Sequence, residues 1–425
     1  MNWCKISPPL SIPDSISIEV PASKSIFNRL LIIQRLATHD FSIEKGPLAL
    51  DSIQLQQALL SYDAGSKVIE SGEGGTSFRF LLAYLATVGF EGELVASGSM
   101  VDRPIKPLIR ALNILGANVK QVPNTNKLSV YLTKGNMEGG EIQLDTSISS
   151  QFVSALLLVG PYLSKGLVIQ TSELVVSESY ISMTVELMKR FGIEVQYSNH
   201  LISVPSGAYL WSEEQPFTVE SDWSAASYFW MHSHSLGLKE VHGLGLHKKS
   251  LQGDAILHRW ASRQGSESFF TRSGWTHRLT NQATAFFGSE FEGLLIPDLA
   301  MSHISLYAFL GHPITYTGLS TLAFKESDRL KALQKEWAKA GIEICFTEQG
   351  ELVVRPSITS TGNDIKQLII DSHGDHRIAM CLSVLASTRT IWIKNPEVVS
   401  KSFPNYWIEL SKLGYEIQTN ISPES

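Results

Sequence analysis

Residues 184–195 read TVELMKRFGIEV. A helix-like run ends at Gly192, and Val195, three positions on, opens a short extended segment. Glycine suits the left-handed position just past a helix, so the segment predicts a helix, a tight reversal and a strand. The same pattern recurs along the chain. LQQALLSYDAGSKV (55–68), LIRALNILGANV (108–119), LQKEWAKAGIEI (333–344) and WIELSKLGYEI (407–417) place Gly65, Gly116, Gly341 and Gly414 at the pivot. A weaker copy, ILHRWASRQGSES (256–268), puts Gly265 where a sixth is due. The recurrences are too far apart for a solenoid. Between them lie strand-like runs such as FSIEKG, ELVASG, LVIQTS, ELVVRP and TIWIKN. Six βα-type units predict an α/β (α+β) protein built by duplication, as two lobes of three.

The helix starts share a second pattern. SKSIFNRLLIIQRLA sets Lys24 and Arg29 around one start, GEGGTSFRFLLAYLA sets Arg79 just inside another, and GDHRIAMCLSVLA does the same with Arg377. DTSISSQFVSALLL supplies Ser149, Ser150 and Gln151 as neutral donors at a further start. Each segment continues as an almost wholly apolar helix, which predicts burial. One such start is ordinary capping. Several of them, aimed at one cleft, make an anion-selective pocket.

LAFKESDRLKAL (322–333) is the densest of these stretches. Ser327 is the expected cap of a helix whose apolar face reads Leu330, Leu333, Trp337 and Ala340. A cation in a helix's first turn opposes the dipole, yet Arg329 sits there with Lys325 just outside. An anion between them resolves that conflict, and Glu326 then stands beside it as an acid or base. The alternative is a solvated face with an i,i+3 ion pair.

The chain has 425 residues, 43% of them hydrophobic, enough for two substantial domains. Its formal net charge is −6 with no block of like charge, so neither nucleic acid nor an anionic membrane is an expected partner. Cys4, Cys345 and Cys381 lie far apart, which argues against a disulfide framework or a zinc knuckle. The start MNWCKISPPLSIPDS lacks the pattern of a signal or transit peptide, and LLLVGPYL is too short to span a membrane, so a cytoplasmic location is expected. His232, His234, His242 and His247 form the one metal-like grouping and are read as surface or structural. No metal site and no dinucleotide fingerprint is expected, since GEGGTSFR has neither the Walker lysine nor the G-x-G-x-x-G spacing. His373 and His376 flank Asp375 beside Arg377, where an orienting role is expected.

SKSIFNR, GGTSFR, DRPIKPL, SSQFVSALL, SESYI, SLQGD, IPDLAM, KESDRL, GDHRIAM and KSFPNY follow the order and nearly the spacing of the motifs of the 5-enolpyruvylshikimate-3-phosphate synthase family (3-phosphoshikimate 1-carboxyvinyltransferases). The resemblance runs from about Lys24 to Pro404. It implies the two-lobed enolpyruvyl-transferase fold, each lobe of three βαβαββ-like units, with the active site in the cleft between lobes. The implied domains are 22–219 for the N-terminal lobe, and 1–21 with 220–425 for the C-terminal lobe. The implied reaction moves the enolpyruvyl group of phosphoenolpyruvate to the 5-hydroxyl of shikimate 3-phosphate, with no metal or organic cofactor, in a monomer. Bringing several phosphates and carboxylates together demands fixed cations. Addition of the alcohol demands groups that remove one proton and deliver another.

Carried over position by position, the resemblance implies that Lys24, Gly75, Arg103, Gln151, Arg329, Arg377 and Lys401 hold phosphoenolpyruvate. Shikimate 3-phosphate falls to Lys24, Ser25, Arg29, Ser149, Ser150, Gln151, Ser177, Tyr180, Asp298 and Lys325. Asp298 is the implied base, with Glu326 and Lys24 as proton donors. Without the resemblance, Asp298 reads as a capping residue after Pro297.

Several positions depart from the family pattern. Ala22 replaces a common glycine. Glu73 stands where many members have asparagine, and a carboxylate there predicts weaker phosphoenolpyruvate binding unless it is protonated or turned toward a lysine. Glu178 and Ser179 replace a basic-proline pair, predicting a less positive phosphate pocket. Residues 232–291 match poorly apart from SLQGD. Two other identities compete: a UDP-sugar enolpyruvyl transferase, and a catalytically degenerate binding homologue. The first usually has K-N in place of Lys24-Ser25 and a loop cysteine, but no cysteine lies between Cys4 and Cys345. Lys24, Asp298, Glu326 and Arg377 speak against the second, and Glu73 for it.

Overall fold

A computed structural model describes residues 2–123, 126–263, 266–280, 290–348, 350–355 and 367–421. The chain divides into two compact units, one of residues 23–219 and one of residues 1–22 with 220–425.

In the first unit the helices are α1 (Lys24–Leu36), α2 (Leu50–Asp63), α3 (Gly75–Thr87), α4 (Lys106–Ile114), α5 (Ser150–Val159) and α6 (Glu178–Arg190). In the second they are α7 (Trp223–Leu236), α8 (Leu257–Arg263), α9 (Pro297–Leu310), α10 (Arg329–Lys339), α11 (His376–Leu382) and α12 (Tyr406–Ser411).

One topology repeats. Strand Val68–Glu70, α3, strand Gly92–Ala96, α4, then Asn118–Val122 and Leu128–Thr133 make a βαβαββ unit. Its first two strands pair parallel, and the last two join as an antiparallel hairpin beside the second. Strands Gly140–Leu144, Leu167–Thr171, Gln196–Ser198 and Leu201–Val204 do the same around α5 and α6. In the second unit, Glu290–Glu292, Ile314–Thr317, Glu343–Phe346 and Leu352–Arg355 repeat it around α9 and α10. Two more copies borrow a strand from the start of the chain. Ser15–Ile18 pairs parallel with Glu240–Leu244, and Trp3–Ser7 is the strand between Ile391–Lys394 and Glu416–Thr419. The remaining sheet has two strands, Ile43–Glu44 and Phe217–Thr218.

The pivot glycines explain the repetition. Gly192 and Gly341 have φ of 83° and 79°, just past the ends of α6 and α10, and Gly65, Gly116 and Gly414 also have positive φ. A β-carbon at Gly192 or Gly341 would touch nothing within 4 Å, so backbone conformation and not space requires glycine there. The sixth pivot, Gly265, lies outside the described residues.

The apolar helices are buried as their composition demands. Every residue of α11 is buried, as is Ser150 with all of α5 from Phe152 on. In α3, Ser77 to Ala86 is buried throughout, Arg79 included. Where the chain passes between units it runs beside itself. Ala22 bridges Ser221, and the Asp222 amide donates to the Pro21 carbonyl at 2.9 Å.

Candidate active site

In the unit of residues 23–219 the expected residues gather at helix starts. Lys24 opens α1, and its Nζ donates to Asp51 Oδ2 on α2 at 2.8 Å. One turn on, Arg29 is buried, and its guanidinium donates to neutral oxygens: Ser25 O (2.7 Å), Thr184 Oγ1 (2.7 Å), Tyr180 O (3.0 Å) and Ser154 Oγ (3.1 Å). These bonds tie α1 to α5 and α6. Burial pulls the pKa of Arg29 down to about 10.

Ser149 caps α5, its Oγ accepting from the Gln151 amide at 3.2 Å, with Ser150 buried behind it. Arg79 reaches from α3 to Gln151 Oε1 and to the Pro104 carbonyl (2.8 Å), its guanidinium 5.0 Å from the centre of the Phe152 ring. The Arg103 guanidinium lies against the Cα of Gly75: a β-carbon there would come within 2.5 Å of its Nη1. A side chain at position 75 would therefore have to displace that guanidinium. Ser177 has φ of 52°, a left-handed backbone that is strained for serine, and immediately precedes α6, which carries Tyr180. The departures are turned inward. Glu178 Oε1 accepts from the Tyr197 hydroxyl at 2.7 Å, and the Glu73 carboxyl packs over Gly98.

The second unit holds a denser cluster. Asp298 lies in the first turn of α9, whose N-cap residue is Ile296. Its carboxylate accepts from Arg329 Nη1 (3.0 Å) and Arg377 Nη2 (3.0 Å), with Lys325 Nζ at 3.8 Å. Arg329 also donates to Glu326 Oε2 (2.6 Å) and through Nε to Asp375 Oδ2 (2.8 Å). Burial opposes its charge, but Asp375, Glu326 and Asp298 outweigh that and raise its pKa. The i,i+3 pair of Glu326 and Arg329 therefore exists, but the two side chains are only 12% and 2% exposed, not solvated. The cap of α10 is corrected: Asp328, not Ser327, accepts from the Lys331 amide (3.2 Å), while Ser327 Oγ donates to Asp375 Oδ2 (3.2 Å). The helix begins one residue later than read, so the side chain in reach of the third amide is Asp328. Arg377 Nη1 donates to the Tyr228 hydroxyl at 3.2 Å, and Lys401 Nζ to the Gly374 carbonyl at 3.3 Å.

The four histidines grouped by sequence separate by role. His232 is buried and bonded to Tyr415 and Ser383, His234 stacks on His277, and His242 bonds Thr276 and Ser273. Among the described residues no group of three His, Cys, Asp or Glu is placed to hold a metal ion. No helix among them is long and apolar enough to cross a membrane.

Three residues escape the sequence reading: Asp51, Asp254 and Tyr228. Asp375 caps α11 and takes Arg329, while Asp254, inside SLQGD, accepts from Ser224 Oγ. Burial, then the nearby Asp298 charge, raises the Asp254 pKa to about 7. Its glycine neighbour was a signal for a turn, not for a partner.

Lysine and arginine held at helix starts, matched by carboxylates, define an enzyme that handles polyanionic substrates. The family model described as EPSP synthase (3-phosphoshikimate 1-carboxyvinyltransferase) matches residues 53–410. A 3-phosphoshikimate 1-carboxyvinyltransferase of Bacteroides fragilis is 35% identical over 96% of this chain and 98% of that protein. One of Pseudoalteromonas translucida is 30% identical over 93% and 96%. The solved EPSP synthase of Acinetobacter baumannii, 20% identical, superposes with a TM-score of 0.74 over 98% of this chain and 100% of that one, which shows the two-lobed fold. The chain belongs to the EPSP synthase family. It is a transferase that moves the enolpyruvyl group of phosphoenolpyruvate to shikimate 3-phosphate in aromatic biosynthesis.

Proposed function

We propose that Lys24, Gly75, Arg103, Gln151, Arg329, Arg377 and Lys401 hold phosphoenolpyruvate, and that Lys24, Ser25, Arg29, Ser149, Ser150, Gln151, Ser177, Tyr180, Asp298 and Lys325 hold shikimate 3-phosphate. The observation that carries this reading is the carboxylate of Asp298 set among Arg329, Arg377 and Lys325, with Glu326 on the same arginine. Fixed cations offset the repulsion between two phosphorylated, carboxylated substrates. Asp298 takes the proton of the 5-hydroxyl as its oxygen bonds to the central carbon of phosphoenolpyruvate, an enol phosphate. Glu326 or Lys24 gives a proton to the methylene carbon, producing a tetrahedral intermediate. Its collapse expels phosphate and returns a proton from the methyl group, restoring the double bond. Arg29 is held in place by four protein oxygens, which take Nε, Nη2 and one hydrogen of Nη1 and leave the other Nη1 hydrogen to donate. The enzyme works as a cytoplasmic monomer, without membrane or nucleic-acid partners.

Asp298→Asn tests the assignment. It is expected to lower kcat by roughly 10²–10⁴ while shikimate 3-phosphate still binds in calorimetry; activity within tenfold of wild type contradicts it. Glu73 adds a negative charge near the Gly75 turn, so Glu73→Asn is expected to lower the KM for phosphoenolpyruvate. An unchanged KM counts against that reading.

A further inference from the structure

Glu336 has no place in the chemistry above, yet its side chain is 0% exposed and carries three donors. Oε2 accepts from Lys339 Nζ (2.5 Å) and the Asp371 amide (3.1 Å), and Oε1 from His373 Nε2 (2.9 Å). A carboxylate without water costs several kcal/mol unless such bonds are made, so its position and that of its donors are fixed together. Two of the three belong to residues 371–375, the loop between strand Leu368–Asp371 and α11.

That loop leads directly to the cations. Gly374 O receives Lys401, while Asp375 receives Arg329 and the Arg377 amide. One residue earlier, His373 has φ of 52°, a conformation that costs a non-glycine residue and persists only where its surroundings impose it. The bond to Glu336 imposes it, helped by Asp371 Oδ1 accepting the His373 amide at 2.8 Å. Arg329 and Glu336 stand two turns apart on one face of α10, and both grip this loop.

We infer that Glu336 is a positioning residue: through His373 it sets the 371–375 loop and thereby the phosphoenolpyruvate-side cations Arg329, Arg377 and Lys401. The inference rests on the assignment of those cations to phosphoenolpyruvate. The test is steady-state kinetics with each substrate varied separately, on Glu336→Gln, His373→Gly and Lys401→Met, alongside thermal unfolding. Glycine accepts the left-handed conformation and deletes the imidazole, so the second variant reports on the bond even where the first fails to fold. Misplaced cations are expected to raise the KM for phosphoenolpyruvate about tenfold in both and to leave that for shikimate 3-phosphate unchanged. A lowered Tm with both KM values at wild type overturns the inference, as does a parallel rise in both. If Lys401→Met raises the phosphoenolpyruvate KM and neither other variant does, the inference alone falls. If Lys401→Met also leaves it unchanged, the cation assignment falls and the inference with it.

Discussion

Arg329 is held by Asp298, Glu326 and Asp375, and its side chain is 2% exposed. Deleting it leaves three carboxylates facing one another with their shared cation gone. Arg329→Met is therefore expected to destabilise the fold by about 3–5 kcal/mol in urea unfolding at neutral pH; a loss below about 1 kcal/mol would place the cluster among weak surface pairs. Gly75→Ala forces the Arg103 guanidinium away from a β-carbon only 2.5 Å distant. The expected result is a KM for phosphoenolpyruvate raised roughly tenfold with shikimate 3-phosphate unaffected, and an unmoved KM shows that Arg103 has another conformation to use. At this scale Lys24, Arg29, Arg329 and Arg377 are legible in the sequence, because lysine or arginine at the start of an apolar helix breaks the usual charge rule, whereas Arg103 and Lys401 follow no such pattern. The partners of Lys24 and Arg329 are not legible. Asp51 lies 27 positions from Lys24 and Asp375 lies 46 from Arg329, and no local pattern announces pairing across such separations.

The elements follow from the pivot glycines. The helices end where Gly65, Gly116, Gly192 and Gly341 require, and a strand follows each. The borrowing of Trp3–Ser7 and Ser15–Ile18 by sheets formed after residue 220 is not a local feature, and periodicity could not reveal it. Two pivots separate conformation from space. At Gly341 an added β-carbon meets nothing, whereas at Gly116 it lands 2.0 Å from the Asn136 carbonyl oxygen. Gly341→Ala is expected to cost about 1–2 kcal/mol in urea unfolding, and Gly116→Ala clearly more. Equal losses would show that the loop at Asn136 yields freely.

Across the whole molecule the buried histidines lie in one unit. Burial lowers His232 and His303 from 6.5 to about 3 and His234 to about 4, and pushes His277 well below its ordinary value. Above pH 6.5 these groups are neutral in both folded and unfolded chains. As pH falls below 6.5 the unfolded chain takes up protons that the folded one refuses, so stability is lost at roughly 1.4 kcal/mol per histidine per pH unit. Asp254 acts in the opposite sense: raised from 3.8 to about 7, it binds its proton first in the folded state and regains stability on the same descent. Four histidines outweigh one carboxyl. Urea midpoints followed by tryptophan fluorescence, which reports Trp223, Trp230, Trp275 and Trp337 of this unit, are expected to fall from pH 7 to pH 5; equal midpoints contradict the burial of these rings.

The cation clusters of the two units serve enolpyruvyl transfer to shikimate 3-phosphate in this reading. Phosphate release from phosphoenolpyruvate, measured with shikimate 3-phosphate and in a parallel reaction with UDP-N-acetylglucosamine, tests it most directly. Release with shikimate 3-phosphate alone is the predicted result. Release with the UDP-sugar alone, or with neither, would contradict it.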